Sequence, residues 1–168
     1  TYQDVTDTTV TAQFKLINDN LPDFLNSEDD IFVLAWTTTP WTLPSNTALT
    51  VSPKINYSLI KSFNQYTGLK ADYILADELI SKQFSGNYFE VSDLKEIKNY
   101  EFDAKSIPFY KKSTFKGKDL ENIKYEQLLD YATPFSNPEN AFRIIIGDFV
   151  TTSDGTGIVH TAPTFGAD

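Results

Sequence analysis

The sequence predicts an α+β domain with a mixed, β-barrel-like core of short strands and a few flanking helices. Three observations carry that expectation. Residues 9–17 alternate between polar and apolar as far as Leu16, the period of a half-buried strand. The run IFVLAW (31–36) is continuously apolar and fits a strand covered on both faces or a short buried helix, its length and β-branched neighbours favouring the strand, and FRIIIGDFV (142–150) reads as a core strand. Aromatic residues make up 14% of the chain, mostly Phe and Tyr, and aromatic side chains favour pleated sheet.

In chain order, the first strand puts Val10, Ala12, Phe14 and Leu16 on one face and Thr9, Thr11, Gln13 and Lys15 on the other. A polar loop ending in Glu28-Asp29-Asp30 leads to the second strand, which runs into Thr37-Thr38-Thr39. Pro40 and Pro44 lack the amide proton a ladder needs, so regular pairing stops there. Short strands are expected at about 47–51 and 55–63. Over 72–84 the pairs Leu75/Leu79, Ala76/Ile80 and Ile80/Phe84 are four apart, the spacing of a helical stripe; Gly86-Asn87 then ends the helix. Residues 88–104 fit either state. A lysine-rich loop, a strand near 120–125, a loop marked by Pro134 and Pro138, and the strand 142–150 follow. Ser153-Asp154-Gly155 signals a turn, and Ile158-Val159 begin another short strand.

With 168 residues the chain suits one domain (1–168) with a real core. It has no Met, so it reads as a piece of a larger protein. It also has no Cys and one His, which excludes disulfides, thiolate nucleophiles and His-rich or Cys-ligated metal sites. No apolar run approaches the roughly 20 residues of a membrane span, and the expected compartment is the cytoplasm. The formal net charge of −9 is unsuited to strong independent nucleic-acid binding. Lys105, Lys111, Lys112, Lys116 and Lys118 nevertheless occur in one stretch without an acid. They fit a solvated face or a local phosphate contact.

Phosphate-cradling glycine loops and serine nucleophile elbows are both missing. Two polar clusters remain. In WTTTPWTLPSN (36–46) three consecutive hydroxyls leave a strand just where Pro40 breaks its ladder. At least one must face inward, since neighbouring strand residues point to opposite sides. Hydroxyls and released amides there suit a polar ligand and an oriented water, although threonine is also a common strand residue. In DGTGIVHTAPTFGAD (154–168), Gly155 and Gly157 permit tight turns. His160 follows two apolar residues, as a core histidine or the lining of a polar cavity would.

Together the two clusters resemble the editing domain inserted in isoleucyl-tRNA synthetase, a class I aminoacyl-tRNA synthetase, often called its connective-peptide domain. WTTTPWTLPSN is similar to that family's threonine-rich motif, and GTGIVHTAP to the motif that closes its pocket. The related valyl and leucyl enzymes carry an arginine in the threonine motif, where Pro40 follows Thr39 here. The valyl enzymes also tend to have lysine in place of His160. The resemblance implies the fold shared by these three editing domains and a proofreading hydrolase. Its substrate would be valine wrongly esterified to isoleucine tRNA, or valyl-adenylate. One methylene is too little for a single apolar pocket to separate the two amino acids well, an argument for which this synthetase is itself the standing example. A non-catalytic insert that binds the tRNA acceptor end is the alternative.

The implied catalytic run is Thr37, Thr38 and Thr39. Trp36, Thr42, Asn46, His160, Thr161 and Asp168 would surround the substrate, with His160 setting the pocket's size. Trp36 and Trp41 would be structural or rim residues. The family's ammonium-binding acid aligns one place beyond Asp168; either Asp168 takes its part or that carboxylate lies further on. No metal or cofactor is implied within this domain, ATP and Mg belonging to the parent enzyme. The implied partners are the 3′ acceptor end of isoleucine tRNA and the rest of the synthetase.

Overall fold

The computed structural model describes residues 8–163. Among these residues nine strands form two mixed sheets. The larger contains β1 (Val10–Lys15), β2 (Ile31–Thr37), β4 (Asn56–Phe63), β5 (Lys70–Ala76), β6 (Tyr88–Glu90) and β7 (Ile107–Lys116) in the order β1-β2-β5-β4-β7-β6. The smaller contains β3 (Ala48–Val51), β8 (Arg143–Ile146) and β9 (Ile158–Thr161) in the order β8-β3-β9. The pairs β2–β5, β6–β7 and β3–β8 are parallel and the rest antiparallel. Two short helices, α1 (Ile80–Gln83) and α2 (Leu94–Lys98), complete an α+β fold. Among the described residues the strands do not close into a barrel.

The main core lies between the two sheets. Phe14, Val33, Leu59 and Ile74 from the large sheet meet Leu49, Val51, Ile144 and Ile158 from the small one. The alternation at 9–17 does what its period requires: Ala12, Phe14 and Leu16 are buried. Both faces of β2 are covered because Ile31, Val33 and Ala35 enter this core while Leu34 joins a second cluster on the sheet's far side.

Four expectations need correction. The helix over 72–84 is a strand through Ala76, then a 3-10 turn (Asp77–Leu79), then α1. Ile74 and Ala76 face one core while Tyr73 and Leu75 face the other, so burial on both sides outweighed the four-residue spacing. The lysine-rich loop is β7, ten residues long. The strand near 120–125 is a 3-10 turn (Gly117–Leu120) followed by isolated bridges at Lys124 and Tyr125. The run 142–150 is a strand only over Arg143–Ile146; Gly147 still donates its amide to Val51 O at 3.0 Å, and a Cβ there would meet the Thr50 and Phe149 side chains.

In β7 the register with β4 skips Lys112, passing from Leu59↔Ser113 to Ile60↔Lys111. Such a bulge re-aims a side chain. Lys112 reaches Asp72, which is fully buried, at 2.7 Å, and Lys61 approaches the same carboxylate at 2.9 Å and Asp29 at 2.6 Å. Lys111 pairs with Asp77 at 2.8 Å. Two of the five lysines are thus committed to carboxylates.

Candidate editing site

The threonine run leaves the end of β2 and turns at once. Pro40 begins a 3-10 segment, Pro40–Ser45, that carries the chain across to β3. Thr37 is buried, and its hydroxyl accepts from the Thr39 amide at 3.0 Å, so the amide released from the ladder is satisfied locally. Thr39 Oγ1 lies 3.3 Å from Thr37 Oγ1 and 3.4 Å from Thr42 Oγ1. Thr42, also buried, donates its hydroxyl proton to the Thr39 carbonyl at 2.8 Å.

The second motif arrives from the other direction. Gly155 and Gly157 both adopt φ near +70°, where any other residue is strained. A Cβ on Gly157 would strike that of Ala76, and one on Gly155 the Trp36 ring. The turn is pinned to the large sheet by Thr156 O, which accepts from Ala76 N at 2.8 Å, and by the Tyr57 hydroxyl, which donates to Gly157 O at 2.7 Å. β9 then pairs with β3, Leu49 opposite His160. That pairing brings His160 Nε2 to 2.9 Å from Thr42 Oγ1 and Nδ1 to 2.8 Å from Asn46 Nδ2. Asn46 Nδ2 also donates to Ala48 O at 2.9 Å, and Asn46 Oδ1 accepts from the Tyr125 hydroxyl at 2.6 Å. The result is one network, Thr37–Thr39–Thr42–His160–Asn46–Tyr125, built from both motifs.

Burial pushes the His160 imidazole below its usual range, against the opposing effect of its Thr42 contact. It pushes the Tyr125 phenol far above its own range, the Asn46 contact opposing. No carboxylate belongs to this network among the described residues. Its chemistry is that of neutral hydroxyl, amide and imidazole groups, which suits holding an ester and a water more than strong proton abstraction.

The site residues expected from the sequence divide. Thr37, Thr39, Thr42, Asn46 and His160 come together. Thr38 is exposed, at the surface beside them. Trp36 packs beneath the Gly155 turn. Thr161 points to the opposite side of its sheet from His160 and bonds Thr50 at 2.8 Å. Trp41 is 65% exposed. Asp168 lies outside the described residues. A cavity of about 340 Å³ reaches Asn46 between Pro44, Phe135, Phe142 and Pro163. Sequence reasoning missed Tyr125 and Tyr57. Each is a single aromatic in an unremarkable segment, and only its long-range partner gives it a role.

No family model matches the chain. Its structure is similar to leucyl-tRNA synthetase editing domains: the P. knowlesi cytosolic domain has TM-score 0.56 and 14% identity, covering 92% of this chain and 58% of that one. The CP1 domain of GlLeuRS gives TM-score 0.56 at 16% identity, covering 92% and 52%. The chain's fold is that of the editing domains of aminoacyl-tRNA synthetases. In sequence it is 51% identical over 168 residues to the isoleucine–tRNA ligase of Cytophaga hutchinsonii and 50% identical to that of Bacteroides fragilis, covering 100% and 99% of this chain. The Picrophilus torridus ligase is 44% identical over 137 residues. The chain belongs to the isoleucine–tRNA ligase family, and it spans 14% of the length of the first two of these relatives.

Proposed function

We propose that this domain proofreads: it hydrolyses valine wrongly esterified to isoleucine tRNA, and excludes isoleucine by size. The observation that carries the reading is the 2.9 Å contact between Thr42 and His160, which joins two motifs more than a hundred residues apart in one site. Water attacks the ester carbonyl, the bond to the terminal ribose oxygen breaks, and valine leaves as its carboxylic acid while the ribose regains its hydroxyl. An aminoacyl ester is already activated, so positioning and oxyanion stabilisation carry most of the work asked of the domain. The Thr38 and Thr39 hydroxyls contact the ester and its adenosine, and His160 walls off the side-chain pocket. The acceptor end of the tRNA and the remainder of the synthetase are the partners of this reading, and valyl-adenylate is a second substrate of the same chemistry.

The test is deacylation of valyl-tRNA for isoleucine by the full synthetase carrying Thr38→Ala with Thr39→Ala. The rate is expected to drop at least tenfold with tRNA binding unchanged. Unchanged deacylation with weakened tRNA binding would instead identify a binding insert.

A further inference from the structure

The polarity of the network around His160 is set from the Ala48 carbonyl, which can only accept, through the Asn46 amide to the ring. The Ala48 carbonyl only accepts, so the Asn46 atom 2.9 Å from it is the amide nitrogen. The other side of that amide, its oxygen, receives the Tyr125 hydroxyl at 2.6 Å. Tyr125 is itself closely packed: 1% exposed, edge-on to Phe14 and Phe142, and bonded through its amide to Phe142 O at 2.9 Å. With one Asn46 proton on Ala48, the second goes to His160 Nδ1, 2.8 Å away, and Nδ1 must accept it. At the other ring nitrogen, Thr42 has already given its one hydroxyl proton to Thr39 O. Its oxygen therefore receives a proton from Nε2 at 2.9 Å. Both demands are met by a single species, the neutral imidazole protonated on Nε2.

We infer that Tyr125 and Asn46 are positioning residues that lock His160 in its Nε2–H tautomer, which makes the ring a neutral pocket wall with both nitrogens engaged and bars it from acting as the general base. The tautomer follows from geometry alone. Its bearing on hydrolysis rests on the proofreading reading. A proton on Nδ1 would face the Asn46 amide protons, and relieving that conflict means turning an amide that Tyr125 holds from behind. An imidazolium meets the same obstacle, which agrees with the lowered basicity of the ring.

The chain has one histidine, so histidine-labelled protein gives a single imidazole spectrum by long-range proton–nitrogen correlation. Near neutral pH, Nε2 is expected in the protonated and Nδ1 in the unprotonated nitrogen region. Tyr125→Phe keeps the ring packing and removes the donor; both nitrogens should then move toward the average of the two tautomers. Asn46→Asp replaces the donor at Nδ1 with an acceptor and should bring a proton to Nδ1. A wild-type spectrum of the Nδ1–H or averaged type would overturn the inference. So would an unchanged spectrum in a folded Tyr125→Phe protein, or an Asn46→Asp protein still protonated only on Nε2. In the full synthetase, single-turnover deacylation should show no step of imidazole pKa that disappears in His160→Gln; such a step would make the ring a base and refute its role as a wall. Complete absence of deacylation alongside the expected spectrum would remove proofreading and leave the tautomer lock intact.

Discussion

Thr42 Oγ1 and His160 Nε2 lie 2.9 Å apart although 118 positions separate them in the chain. The contact exists because the 3-10 segment after the threonine run feeds β3, and β3 pairs with the strand that carries His160. A substitution on either side therefore reports on the same site.

On the proofreading reading, shortening His160 to alanine should enlarge the side-chain pocket. In the full synthetase, His160→Ala is expected to cleave correctly charged isoleucyl-tRNA at a rate within about tenfold of valyl-tRNA, since one extra methylene is worth only about 10–200-fold in an apolar pocket. Parallel deacylation assays on the two esters check this. Preserved discrimination would take His160 out of the pocket wall.

The same residue predicts an acid limb of stability. Its folded pKa is lowered from an ordinary value of 6.5, so below that value the unfolded chain binds more protons than the folded one. Stability is then complete above about pH 6.5 and falls as pH drops through the lowered pKa. Urea melts between pH 7.5 and 5 should show this loss, and His160→Gln should reduce it. The chain has one histidine, so a slope unchanged in the variant would assign the limb to other groups.

Tyr57→Phe removes the hydroxyl that donates to Gly157 O and accepts from Ser52 N at 3.1 Å. Burial pushes this phenol up to about 12, so it remains a donor throughout the working range. Two buried backbone groups lose their partner, and the expected cost is about 1–3 kcal/mol. Chemical denaturation measures it. Because the hydroxyl anchors the Gly155–Gly157 turn, the proposed deacylation by the full synthetase should weaken as well.

Asp72→Ala leaves Lys61, whose side chain is 8% exposed, without its innermost partner and leaves Lys112 with only the Asn26 carbonyl at 2.8 Å. Burial by itself would lower the Lys61 pKa; the contacts with Asp29 and Asp72 outweigh it and raise it. Breaking a buried ion pair from one side costs about 3–5 kcal/mol. Equilibrium unfolding should show a loss of that order. A double replacement of Asp72 and Lys61 by apolar residues should recover part of it.

Much was legible in the sequence because it is local. The period-two alternation at Val10, Ala12, Phe14 and Leu16 specifies a one-sided strand wherever it lies. Pro40 and Pro44 end a ladder by lacking a proton. Gly155 and Gly157 announce positive φ, and the two polar motifs mark their own positions. Residues 72–76 were misread because a strand buried on both faces carries no alternation, and the spacing of Leu75 and Leu79 imitates a helix. The lysines of β7 looked like a solvated loop because nothing near them in the chain shows that Lys111 and Lys112 answer Asp77 and Asp72.

By itself, then, the sequence determined the strand with a clear period-two alternation, the proline breaks and the positions of the two polar motifs. The tertiary structure alone decided which atoms of those motifs meet. Side-chain pairing across a hundred residues depends on sheet order and register, which are set by where apolar faces find cover. That is why Thr161 faces away from the site while Tyr125, unnoticed in the sequence, closes the network behind Asn46.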